Sequence, residues 1–323
     1  MAQSMCVVGI DVSKSKLDAY VNASGEARQV TNDPAGHRDV AAWAARSGAS
    51  IVVMEASGGY EKSVARALRR SRFTVHVVDP KRVRLYARAM GQLAKTDRID
   101  ARVIAEFGAA VIAVGRLPLP APDDPERDRL GALLGARLDL VEHRDALRQQ
   151  IDATEPGPAG SALRRVNQRM KVEIAQLERR MAAAIARHEP FARLARRLET
   201  VPGLGPVAIA ALLAWLPELG YARSQRIAAL VGVAPFAEDS GQHEAPRHIR
   251  GGRKKLRNVL YMATVCARTW NPVMKRHYER LEARGKPGKL AIVACMRKLL
   301  GIITAMVMRQ EDWTPRPAAP TSV

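Results

Sequence analysis

Cysteine is scarce in this chain, and acidic residues are heavily outnumbered. The 323 residues include three cysteines, Cys6, Cys266 and Cys295, scattered through apolar surroundings. That spacing excludes a disulfide framework and a cysteine zinc site, and it suits a reducing compartment. No signal peptide opens the sequence and no uninterrupted apolar run of about 18 residues is read from it. A membrane partner is therefore not expected, and a cytoplasmic location is. Lys and Arg number 52 against 32 Asp and Glu, a formal charge of +20 with a pI near 10.6. Such an excess calls for a polyanionic partner, nucleic acid before an anionic membrane surface, bound with strong salt dependence. The length allows two or three domains, each with its own core.

Where acids do occur, several stand at the ends of apolar segments. Residues 6–10 are a short, β-branched, nearly unbroken apolar run that predicts a strand buried on both faces, and Asp11 ends it. A hairpin follows, with Leu17, Ala19 and Val21 alternating against Asp18, Tyr20 and Asn22. Residues 34–46 predict a helix, and 50–54 repeat the strand pattern, ending in Glu55 before Ala56-Ser57-Gly58-Gly59-Tyr60. If those two strands are neighbours, their end carboxylates lie close together and need a cation between them. Glu61 is an alternative to Glu55, although its position falls inside the helix that follows the glycines. A helix to about residue 70, a strand over 73–78 and a basic helix after Asp79-Pro80 complete a strand–helix alternation that indicates an α/β sheet.

A third acidic stretch, Lys95-Thr96-Asp97-Arg98-Ile99-Asp100, runs into the helical pattern of 103–114. Asp97 and Asp100 are three apart and share one helix face. Acids in a first turn also favour the helix dipole, and Asp11 can cap its own turn, so residue by residue the structural readings stay open. Together Asp11, Glu55, Asp97 and Asp100 would make a four-carboxylate cluster suited to two Mg²⁺ ions at a phosphodiester, with Mn²⁺ able to substitute.

The proline-rich break at 117–125 is the best candidate boundary. Leucines at helical spacing over 126–150 and a second helical pattern over 163–187 predict two long charged helices, either a coiled-coil arm for self-association or a hairpin packed on its own domain. Residues 200–216 place a Pro-Gly-x-Gly-Pro turn before an apolar helix. That turn is similar to the hairpin of helix-hairpin-helix modules, where Gly203 and Gly205 would bring backbone N–H groups to a phosphate, and a Gly/Pro turn between two packed helices would look the same. Between Gly241 and Gln310 there are 16 Lys or Arg against 3 Asp or Glu. Here Ser240 precedes Gly241, with Glu238 and Asp239 before it and His243 a possible base. Arg247, Arg250, Arg253, Lys254, Lys255 and Arg257 follow as candidate phosphate contacts. A serine beside converging cations suits attack on a phosphodiester, although Ser-Gly alone is common in loops. Helices are expected over 261–270 and 290–308, and a frayed tail over 311–323.

The segments GIDVSKSKLDAYV, VMEASGGYE, VDPKRVRLYARAMGQLAKTDRIDARVIAEF, TVPGLGPVAIAALLAWL, LVGVAPFAEDSGQHE and IRGGRKKLRNVLYMA occur in this order. In that order they resemble the bacterial insertion-sequence transposases of the IS-one-ten family, the DEDD/serine or bridge-RNA recombinases. The resemblance implies an α/β ribonuclease-H-like (RuvC-like) metal-binding domain over 1–116. A linker and helical coiled-coil arm would cover 117–190, and a mainly α serine transposase domain 191–310. It assigns the metal-binding acids to Asp11, Glu55, Asp97 and Asp100 and the nucleophile to Ser240, which would form a covalent phosphoserine link with DNA. It further implies donor and target DNA, a structured guide RNA, and a homo-oligomer from dimer to tetramer, associated with the nucleoid when active. Two other readings compete with it. A metal-dependent junction nuclease needs the four acids and not Ser240, and a non-catalytic nucleic-acid-binding protein needs only the basic half.

Overall fold

A computed structural model describes residues 5–92, 97–115, 124–236 and 248–315, without the side chains of 97–99. Ser240 and Arg247 therefore lie outside the described residues, as does the side chain of Asp97. The chain divides into two compact units, Met1–Asp123 and Asp124–Val323.

The first unit contains β1 (Val7–Val12), β2 (Lys16–Val21), β3 (Ala27–Thr31), α1 (Pro34–Arg46), β4 (Ile51–Glu55), α2 (Glu61–Arg70), β5 (Thr74–Val78), α3 (Pro80–Ala89) and α4 (Asp97–Ala113). The sheet order is β3-β2-β1-β4-β5. The first three strands are antiparallel neighbours, and β4 and β5 run parallel to β1. This mixed sheet fits the ribonuclease-H-like expectation. β1 has no polar face because both its faces are covered. Val8, Ile10 and Val12 join Val52, Met54 and residues of α1 and α2 in one core. Val7 joins Val53, Val78, Val83 of α3, and Val103, Ile104 and Phe107 of α4 in another. The hairpin turn closes through Ser13, whose Oγ donates to the Lys16 carbonyl at 2.9 Å and accepts from the Lys16 N–H at 3.1 Å. β3 is an edge strand, half-buried only at Arg28 and Val30.

In the second unit α5 (Pro125–Asp152) and α6 (Pro158–Arg187) form a helical hairpin. Leu130 and Leu134 seat the start of α5 in the core, and no residue of α5 beyond Leu134 is buried. α7 (Glu189–Glu199), α8 (Pro206–Trp215) and α9 (Ser224–Val231) lead to the two-residue strands β6 (Pro235–Phe236) and β7 (His248–Ile249), which pair antiparallel. α10 (Lys254–Trp270), α11 (Pro272–Glu282) and α12 (Gly288–Arg309) complete the unit. α12 is a long apolar helix. By length and composition it is apolar enough to cross a membrane. Its Ile292, Cys295, Met296, Leu299, Leu300 and Ile303 instead lie within the core that the helices of this unit share. Lys289, Arg297 and Lys298 interrupt the run, and this is why it did not read as continuous.

The basic stretch after β7 packs against the end of α9. Gly252 (φ +71°) packs so tightly that an added Cβ would stand 2.3 Å from the Gly232 nitrogen. Arg257 Nη1 donates to the carbonyls of Gly251 at 2.5 Å and Gly232 at 3.3 Å. Arg253 makes two 2.6 Å hydrogen bonds to the Glu218 carboxylate and a 2.9 Å bond to the Trp215 carbonyl. Arg253 and Arg257, read from sequence as phosphate contacts, here tie helices and turns of the protein together. Charge alone could not separate the two uses, because Glu218 and the carbonyl acceptors are distant in sequence.

Burial pushes the Glu218 carboxyl up, but hydrogen bonding and charge from Arg253 outweigh it, and the pKa lies below its ordinary value. Such a group stabilises the fold above the ordinary glutamate value of about 4.3, and the contribution is lost as pH falls through the lowered folded value. Arg253→Ala should cost about 2 kcal/mol at pH 7, the order of a hydrogen-bonded charged group, in urea unfolding. The gap from wild type should narrow towards pH 3; a gap of equal size at both pH values would contradict this role.

Candidate active site

Asp11 and Glu55 are brought together by strand register. In the parallel pair β1 and β4, Gly9 is matched with Val53 and Ile10 with Met54, so the next matched positions are Asp11 and Glu55. Neighbouring strands lie about 4.8 Å apart. Side chains alternate along a strand, which puts Asp11 on the face of Val7 and Gly9, and Glu55 on the face of Val53. This is the face that α4 covers.

Two glycines show how α4 lies on it. A Cβ at Gly9 would stand 2.3 Å from the Ala101 carbonyl oxygen and 2.4 Å from the Ala105 nitrogen, so only glycine admits the helix backbone there. A Cβ at Gly108 would meet Val53 Cγ2 at 2.7 Å and Val7 Cγ1 at 3.2 Å. The helix thus runs opposite to β1, with Gly108 over Val7 and Ala101 over Gly9. Continuing in the same direction, its first turn, which begins at Asp97 and includes Asp100, reaches the strand ends that carry Asp11 and Glu55. Asp11, Glu55 and Asp100 are each half-buried.

Other acids nearby have different roles. Glu61, the alternative to Glu55, is buried and accepts from the N–H groups of Ser57 at 3.0 Å and Gly59 at 2.8 Å. Its carboxylate closes its own loop. Asp18 is matched with Asp11 across the hairpin, which makes it a further carboxylate beside the site. It is only 5% exposed, and Gln29 Nε2 at 2.6 Å and Lys16 Nζ at 3.5 Å hold it. The alternation of 17–22 contained this signal, since the register of a hairpin fixes which acid faces which. Carboxylates alone are hard oxygen donors, a set that fits Mg²⁺ or Mn²⁺ rather than zinc. Among the described residues no three His, Cys, Asp or Glu side chains form a group that could hold an ion. The fourth assigned ligand, Asp97, has its side chain outside them.

In the second unit Gly203 (φ +94°) packs on α10, where a Cβ would stand 2.4 Å from Ala267 Cα. Gly205 is exposed at the start of α8 with nothing within 4 Å of such a Cβ. Both line a groove of about 550 Å³ with Arg137, Pro206, Lys255 and Met262. Lys254 and Arg250 are exposed, and Lys255 Nζ lies 3.4 Å from Asp139.

The chain matches the profile DEDD_Tnp_IS110, described as a transposase, over residues 8–154. It matches the transposase IS116/IS110/IS902 family over residues 195–279. The chain belongs to the IS110 family of transposases. Membership carries with it enzymatic cleavage and exchange of DNA strands. Among its relatives is a pilin gene-inverting protein of Moraxella bovis, 27% identical over 97% of this chain and 99% of that one. A probable family 20 transposase of Pseudomonas aeruginosa is 24% identical over 82% of this chain and 86% of its own. The solved structure of T. thermophilus RuvC with a Holliday junction substrate aligns with 35% of this chain and 98% of that one, at 17% identity and a TM-score of 0.28.

The close approach at Gly9 yields a direct test. Gly9→Ala should displace α4 from β1 and cost about 3 kcal/mol, the order of overpacking a rigid core, measured by urea unfolding of the full chain. DNA cleavage should fall with it even where the protein remains folded. Unchanged stability and cleavage would show that α4 does not need to approach so closely.

Proposed function

We propose that this IS110-family transposase exchanges DNA strands through a covalent intermediate on Ser240, with a divalent cation at Asp11, Glu55, Asp97 and Asp100. The observation that supports the metal reading is the strand register that aligns Asp11 with Glu55, together with the path of α4, whose first turn runs toward the same strand ends. Mg²⁺ bound there would supply positive charge to the phosphate oxygens of the scissile strand. Asp11, Glu55 and Asp100 are carried on β1, β4 and α4. Family membership and the motif match support Ser240 as nucleophile.

In the proposed step Ser240 Oγ attacks the phosphorus of a DNA phosphodiester. The Oγ–P bond forms, the bond from phosphorus to one deoxyribose oxygen breaks, and that oxygen leaves as a hydroxyl carrying the proton lost by the serine. The hydroxyl of a new strand then attacks the phosphoserine and releases Ser240. One ester is exchanged for another, so no external energy source is required. Arg250, Lys254 and Lys255, exposed in the stretch after β7, together with Arg247, would hold the DNA phosphates. Backbone N–H groups at Gly205 and the start of α8 would add a helix-hairpin-helix-like phosphate contact next to Lys255. The α5–α6 hairpin would serve as a coiled-coil arm for assembly into a dimer or tetramer; past Leu134 α5 contributes no buried residue, and α6 exposes Val166 and Val172. A structured guide RNA, as the resemblance implies, would choose the DNA. The pilin gene-inverting relative, by its name, favours rejoining of strands over the free ends left by a nuclease.

The experiment supplies the full chain with element-encoded RNA, donor and target DNA, and Mg²⁺. Wild type should form a denaturant-resistant protein–DNA adduct that maps to Ser240. Ser240→Ala should lose the adduct and at least about 10³-fold of the recombination while still binding nucleic acid. Asp11→Asn, or EDTA, should abolish cleavage without unfolding the protein. Recombination that survives Ser240→Ala would transfer the chemistry to the carboxylates alone.

A further inference from the structure

Cations of α10, α11 and α12 gather here, and among the described residues none of them makes an ion pair. Arg268 comes from α10, Arg276, His277 and Arg280 from α11, Lys286 from the turn that follows, and Lys298 from α12. Arg280 Nη2 lies 2.9 Å from His277 Nδ1. A guanidinium can only donate, so Nδ1 accepts and the imidazole is neutral, with its proton on Nε2. The Arg268 guanidinium stacks 4.7 Å from the centre of the Tyr278 ring, which orients it. Glu279 and Glu282, the acids of α11, make no ion pair among the described residues. Burial and then the charges of Lys298, Arg280 and Lys286 hold the His277 pKa below its ordinary value. Burial and then Arg280 pull Lys298 down, partly offset by Cys295, with Arg276 adding to the pull. No carboxylate opposes either shift. Like charges held this close raise the energy of the free protein, and an anion seated among them removes that repulsion.

We propose that these side chains of α10, α11 and α12 form a second nucleic-acid contact, which grips consecutive phosphates of a strand apart from the basic stretch 250–255. The cations come from four successive parts of the chain, as suits an extended polyanion better than a single small phosphate. Arg276 and Arg280 are exposed, one helical turn apart, and able to follow a backbone. The inference rests on the reading of this chain as a nucleic-acid enzyme, but not on Ser240 or on the metal.

The test uses the full chain and its Arg276→Gln/Arg280→Gln double variant, with a 30-base-pair DNA duplex in one arm and an RNA duplex of the same sequence in the other, over about 50 to 200 mM salt. Both positions are exposed, so a thermal melt should match that of wild type. In at least one arm the double variant should bind more weakly, by about five- to ten-fold per lost contact at 0.1 M salt. Its log–log salt slope should be shallower by about 0.9 per lost contact. The arm that responds identifies the strand. In wild type, ¹H–¹³C NMR of His277 should show its pKa rising when that nucleic acid binds. Unchanged affinity and slope in both arms with a static His277 titration would overturn the second contact and leave the recombinase reading standing. Wild type that binds neither duplex would overturn both. Normal binding by Ser240→Ala, with the double variant still impaired, would support this contact whatever becomes of the nucleophile.

Discussion

The close contact of α4 with β1 at Gly9 is the constraint on which the rest of the first unit depends. A side chain there would strike helix backbone, which cannot rotate out of the way, so the choice of glycine sets the distance between helix and sheet. That distance decides whether acids on the helix reach acids on the strands. Gly108, over Val7 and Val53, fixes the other end of the same contact and with it the direction of the helix. Register between β1 and β4 then does the rest, because matching Ile10 with Met54 aligns Asp11 with Glu55. The apolar contacts of Val7, Val53, Val103, Ile104 and Phe107 thus set where the elements that carry these acids stand.

The second unit uses glycine and arginine in a comparable way. Gly232 and Gly252 let the end of α9 and the turn before α10 touch through backbone, and Arg257 bridges their carbonyls. Arg253 extends the connection to Glu218. The paired strands β6 and β7 therefore rise from a rigid base.

Much of the first unit was legible in the sequence. The β-branched runs at 6–10 and 50–54 gave strands because a strand covered on both faces needs apolar residues at every position, and the acids that ended them stood out. β3 was not legible, since Ala27–Thr31 is an edge strand whose polar residues face solvent and leave no apolar alternation. The charge of the 250–257 stretch was equally plain, but its division was not. Whether an arginine meets a phosphate or a carbonyl depends on partners brought by the fold, and Glu218 is 35 residues from Arg253. Asp18 was visible as one member of an alternation, and only the register placed it opposite Asp11.

The central claim is that strand-end acids and the first turn of α4 share one divalent cation site. Electron paramagnetic resonance of Mn²⁺ added to the full chain, without nucleic acid, tests it most directly. Protein-bound Mn²⁺ should appear in wild type and be lost in both Asp11→Asn and Asp100→Asn, residues from different elements, while each variant keeps the wild-type circular dichroism. Equal Mn²⁺ binding in wild type and in both variants would contradict the claim.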